Sequence, residues 1–146
     1  MDSNYDDEND DNVAITDYTL SEQQLEEIEK VLQEDLINSG VHSVLLIDMA
    51  GNIIAKGDNG KCEHDLHSLA ALASANFAAV DAMAKIVGEQ EFSLLFHKGE
   101  SESLHFSKVN VEFLLITIFG QEVTLGLLRL KVAEAINKIN GLWQQN

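Results

Sequence analysis

The clearest pattern of apolar and polar positions lies in residues 65–88, DLHSLAALASANFAAVDAMAKIVG. At about 100° per residue this stretch predicts a single helix. Asp65 is placed to accept from free N–H groups of the first turn. Gly88 can take the left-handed conformation that ends a helix. Leu66, Leu69, Ala73, Phe77, Val80, Ala84 and Val87 share one face, expected to be buried. The opposite face carries Ala71, Ala75, Ala78 and Ala82, flanked by His67, Ser74 and Lys85. A surface helix normally turns charge to water. Alanine's helix propensity is one account of this ridge. The other is that small residues let a second helix or a partner approach closely. The ridge runs for about four turns at 3.6 residues each, which favours the second account.

The rest of the chain is read around that helix. A first helix begins after Ser21, where Ser21 and Gln24 make a capping box and Leu20 and Leu25 a hydrophobic staple. Its apolar stripe is Leu25, Ile28, Leu32 and Leu36, and it ends before Gly40. Residues 43–48 (SVLLID) and 52–56 (NIIAK) predict two strands joined by a tight turn, then a polar loop at 57–61. Three strands are expected after the central helix: 91–97 (EFSLLFH), 103–108 (SLHFSK) and 112–119 (EFLLITIF). A last helix runs from a Thr124 cap to about Ile139. Its inner side is Leu125, Leu128, Val132 and Ile139, with a Glu134–Lys138 pair outside.

The element order is therefore αββαβββα, an α+β chain. Short turns make strands 1–2 and 3–4–5 neighbours. Strands 1 and 5 are the most apolar and belong in the centre, covered on both faces. The expected fold is one five-stranded antiparallel sheet, order 2-1-5-4-3, with helices on both faces. Strand 3 then sits at an edge while carrying Phe92, Leu94, Leu95 and Phe96. An apolar edge strand invites pairing with another chain.

Charge narrows the function. The net charge is -16, with a single cysteine, no proline and one arginine, Arg129. So acidic a chain is a poor ligand for nucleic acid or an anionic membrane surface. No disulfide can form within it, so a reducing compartment is expected. No run of membrane-spanning length and no signal-peptide pattern is apparent, and the expected location is cytoplasmic. Residues 1–17 hold seven acids and no base. Residues 1–19 are therefore expected to be a disordered acidic tail. The domain spans 20–141, and 142–146 form a short C-terminal tail.

In order, GVHSVLLIDMAGNIIAKG, LAALASANFAAVDAMAKIVGEQEF, HKGESESLHFSKV and FLLITIFGQEVTLGLLRLKVAEAI make a set of segments across residues 22–140. That set resembles the Roadblock/dynein-light-chain family, and within it the bacterial MglB type. The resemblance implies the element order derived above. It also implies a homodimer in which strand 3 pairs with its mate and the two middle helices pack side by side. It further implies that a small Ras-like GTPase of the MglA type sits on those helices and that its GTP hydrolysis is accelerated, in cell polarity or motility. Ser74 and Ala78 match the contact positions, with Ala71, Ala75 and Ala82 alongside. The implied partner surface is His67, Ala71, Ser74, Ala75, Ala78, Ala82 and Lys85. The family also includes scaffolds that bind a GTPase or motor complex without activating it.

No GxxxxGK[ST] phosphate loop occurs, so the chain is not expected to hydrolyse nucleotide itself. GTPase activators often supply an arginine finger. Arg129 is the one candidate, and it falls inside a helix rather than on a flexible loop. Activation is thus expected to work by positioning the GTPase's own residues. Cys62, His64 and His67 cluster near the start of the middle helix but lack a full ligand set, so no metal or cofactor is expected. A thiol nucleophile at Cys62, with His64 as base and Asp65 to orient it, is disfavoured because nothing marks a pocket. His97 and His105 fall on adjacent strands and are expected to be solvated.

Overall fold

The computed structural model describes residues 20–92 and 95–144. The first helix, α1 (Glu22–Val31), starts with the expected capping box: Ser21 accepts from the Gln24 backbone, and the Gln24 side chain accepts from the Ser21 N–H. The chain stays helical up to Gly40, but not regularly. A wide π turn (Leu32–Leu36) and a 3₁₀ turn (Ile37–Ser39) follow, and Gly40 stops the run at φ 108°. The widened turn keeps Leu32, Leu36 and Ile37 on the buried side.

The strands are β1 (Ser43–Asp48), β2 (Ile53–Asp58), β3 (Leu95–His97), β4 (Ser103–Lys108) and β5 (Phe113–Phe119). They form one antiparallel sheet in the order β2-β1-β5-β4-β3. The two remaining helices are α2 (Leu66–Ile86) and α3 (Leu125–Trp143). Every residue of β1 and β5 is buried, and the period of two sorts them. Val44, Leu46, Phe113, Leu115 and Phe119 pack with α1 and α3. Leu45, Ile47, Leu114, Ile116 and Ile118 pack with α2. Strands buried on both faces read as continuous apolar runs.

Several boundaries differ from expectation. β2 begins one residue later and runs on to Asp58, because Gly57 and Asp58 pair with Val44 and Ser43. β3 is shorter: Leu95, Phe96 and His97 pair with Phe106, His105 and Leu104, while Glu91 and Phe92 are exposed and outside the strand. Leu94 lies outside the described residues, as do the acidic segment 1–19 and residues 145–146. α3 continues past Ile139 through Leu142 and Trp143, so these are helix rather than tail. The Trp143 ring stacks on Phe113 at 4.7 Å, and the Gln24 side chain donates to the Leu142 carbonyl at 3.1 Å. Lys138 pairs with Asp35 of the π turn at 2.8 Å rather than with Glu134, which lies 3.8 Å from Lys131.

Candidate functional site

Asp65 caps α2 as expected, accepting from the Ser68 backbone and hydroxyl. Those hydrogen bonds to the charged form hold its carboxyl below the usual range, the hydroxyl contributing most. Gly88 closes the helix at φ 86°. Leu66, Ala73 and Ala84 are buried as expected, together with Ala70. Leu69, Phe77 and Val80 are half-buried, and Val87 points to water.

The alanine ridge faces outward. His67, Ala71, Ala75, Ala78, Ala82 and Lys85 are exposed, and Ser74 is half-buried. Lys85 is paired with Asp81 at 2.9 Å. Part of the ridge has an internal reason to be small. The β1–β2 turn comes in under it at Gly51, whose φ is 90°. A Cβ on Gly51 would stand 2.9 Å from the Ala71 Cα and 3.0 Å from the Ser74 Oγ. The Ser74 hydroxyl turns back to donate to the Ala71 carbonyl at 2.9 Å. At Ala71 and Ser74, small side chains therefore admit the chain's own turn. Ala75, Ala78 and Ala82 form the outward part of the ridge.

A second exposed stripe escaped the sequence argument. Leu72 is 69% exposed, Met83 52% and Ile86 82%. These positions lie between the buried face and the alanines on the helical projection, and a third sector on the same wheel would have shown them. With them α2 is apolar around most of its circumference. By length and composition it could cross a membrane, contrary to the expectation that no such stretch exists. One side of it is nevertheless built into the sheet through Leu66, Ala70 and Ala73.

At the β3 edge, Leu95 and Phe96 are half-buried against opposite sides of the sheet, and Phe96 stacks on Phe119 at 5.8 Å. Phe92 is 41% exposed. A cleft of about 380 Å³ runs by this edge, lined by Phe77, Val80, Phe92, Leu95, Arg129 and Ile136 among others. His105 also lines it and is buried, not solvated as expected. Burial, with the Arg129 charge adding to it, pushes the His105 imidazole down to about 4. His97, its neighbour on β3, is exposed and pairs with Leu104 rather than with His105. His64 bonds Glu102 at 2.7 Å, and among the described residues no cluster of His, Cys, Asp and Glu is arranged to hold a metal ion.

The Roadblock/LC7 domain model matches residues 27–119. The chain belongs to the Roadblock/LC7 family. Its fold is similar to solved MglB structures at 29% identity. A structure described as MglB with tetrameric arrangement has a TM-score of 0.78, covering 86% of this chain and 94% of that one. The gliding protein MglB of Thermus thermophilus has a TM-score of 0.78, with coverage of 87% and 96%. Myxococcus xanthus MglB gives 0.77, with 87% and 95%. No curated protein sequence matches significantly. The five-stranded sheet in the order 2-1-5-4-3 is thus set in an MglB-like Roadblock fold.

Proposed function

We propose that this chain is a homodimeric regulator of a small Ras-like GTPase of the MglA type, and that it accelerates GTP hydrolysis without inserting an arginine. The observation that carries the reading is the outward face of α2, small at Ala75, Ala78 and Ala82 and apolar at Leu72, Met83 and Ile86, on a fold similar to MglB. A contiguous apolar surface on a soluble-type fold marks an interaction site. The two stripes suit two neighbours: the larger side chains fit the mate's middle helix, and the alanines admit the GTPase. The β3 edge, with Phe92 exposed beside it, supports pairing with a second copy.

Arg129 sits in the middle of α3, whose core lies on the sheet face opposite α2. A finger must reach into the partner's nucleotide site. Arg129 lines the cleft that Phe77 and Val80 of α2 also line, but it is fixed within a helix rather than carried on a flexible loop, which supports activation by positioning the GTPase's own groups. The test is single-turnover GTP hydrolysis by the cognate GTPase with and without this protein. Acceleration supports the reading. Binding of the GTP-bound form with an unchanged hydrolysis rate would make the protein a scaffold, and absence of binding would refute both.

A further inference from the structure

At the end of the sheet where β1 begins, His42 stands between two carboxylates. Its Nδ1 is 2.9 Å from Glu102 Oε2, and its Nε2 is 2.5 Å from Glu122 Oε1. The second oxygen of Glu102 meets His64 Nε2 at 2.7 Å. These four side chains come from four segments: the lead into β1, the β2–α2 loop, the β3–β4 loop and the β5–α3 loop. The frame around them is tight. The His42 backbone bonds to both sides, its N–H to the Ile118 carbonyl and its carbonyl to the Asn59 N–H. Glu122 Oε1 also accepts from the Gly120 N–H at 3.0 Å. A Cβ on Gly120 would stand 2.8 Å from His42 Cε1, so a side chain there would push the ring out. Gln121 ties the same two loops again by donating to the Glu100 carbonyl. The charged or titratable groups lining the adjoining cleft are Lys61, Cys62, Glu63, His64, Glu102 and Glu122.

A neutral imidazole carries one N–H and one lone pair, whereas the imidazolium donates from both nitrogens. His42 therefore satisfies both carboxylates only when protonated. Neutral His42 turns a lone pair toward one of two anions. We propose that His42 is a proton-controlled pin joining the β3–β4 and β5–α3 loops, with Glu102 extending the link through His64 to the loop that leads into α2. The pin is closed when His42 is protonated and loosened when it is neutral.

The electrostatics agree in sign. The Glu102 hydrogen bond, with Glu122 adding to it, raises His42 above the ordinary 6.5 despite partial burial. The same His42 contact, with His64, lowers Glu102 below 4.5. The histidine contribution is thus complete below 6.5 and lost as pH rises through the raised value. The Glu102 contribution is complete above 4.5 and lost as pH falls through the lowered value. The pin is fully closed between these two limits.

NMR titration of the His42 ring in the full chain tests the idea. The expected midpoint is above 6.5, falling in Glu122→Gln and in Glu102→Gln. A wild-type midpoint at or below 6.5 would overturn the proposal. The second readout is the thermal midpoint of wild type against His42→Asn. The difference should be larger near pH 6 than near pH 8.5, and an equal difference at both would also overturn it. If His42→Asn does not fold, the wild-type titration decides alone.

Discussion

The helices α2 and α3 have similar lengths, 21 and 19 residues, and each opens on an oxygen-bearing cap, Asp65 and Thr124. They lie on opposite faces of one sheet and differ in what they bury, although α3 also leaves Leu127 and Leu130 exposed. α3 turns Leu128, Val132, Ala135 and Ile139 inward. Apart from Leu66, α2 buries only alanines, at positions 70, 73 and 84, and turns Leu72, Met83 and Ile86 outward. Small inward residues bring a helix axis close to the sheet. Large outward ones leave apolar area in water at roughly 25 cal/mol per Å². The inward face of α3 completes the core, while on α2 Leu72, Met83 and Ile86 lie in water, the surface that the proposed function gives to a second molecule.

The largest expected effect tests that contrast directly. Leu128 is fully buried, so Leu128→Ala should lower unfolding stability by about 2–5 kcal/mol. Leu72→Ala should change protomer stability by no more than about 0.5 kcal/mol. Chemical denaturation over a range of protein concentrations measures both. A comparable loss at Leu72 that did not depend on concentration would mean the stripe supports the protomer itself, and the contrast would fail.

Next in size is the effect of crowding the alanine ridge. Ser74 is a poor place to do so, because the turn at Gly51 lies against it. Ala75 and Ala78 are exposed on a helix that tolerates arginine well. Ala75→Arg with Ala78→Arg should leave the thermal midpoint nearly unchanged and weaken binding of the GTP-bound GTPase by at least about tenfold, since bulk blocks close packing and the new charges must be desolvated. Sedimentation of the same variant shows whether self-association survives. Full GTPase binding would move the partner surface elsewhere and leave these alanines as ordinary helix formers.

How much of this was legible depends on how local each signal is. The sheet order followed from two continuous apolar runs, VLLI and FLLITIF, and from turns too short to cross the sheet. Both caps of α2 were readable because Asp65 and Gly88 act within one turn. The end of α3 was not, because Trp143 is held by Phe113, thirty positions earlier. The burial of His105 depends on neighbours from β3 and α3. His42, Glu102 and Glu122 were invisible as a group: each is an ordinary loop residue until the fold closes. On the ridge, spacing placed the alanines outward correctly, but it had no means of showing that Gly51 accounts for two of its small positions.

The smallest expected effect falls on the far helix and asks whether α3 takes any part in catalysis. Arg129 is the sole arginine of the chain and contributes to the groove beside β3, where its charge acts on His105. Arg129→Lys keeps the charge and most of the aliphatic stem, and both residues are good helix formers. The fold and the effect on His105 should therefore persist. Lysine does not reproduce the planar fork of an arginine finger. Loss of a true finger costs about three to five orders of magnitude in hydrolysis rate. If α2 carries the contact and activation works by positioning, stimulated hydrolysis should change by no more than about twofold, well under about 1 kcal/mol of barrier. Single-turnover rates at saturating regulator, with binding measured separately, make the distinction. A folded variant that binds the GTPase normally yet loses nearly all stimulation would make Arg129 catalytic and bring the α3 side of the molecule into the active complex.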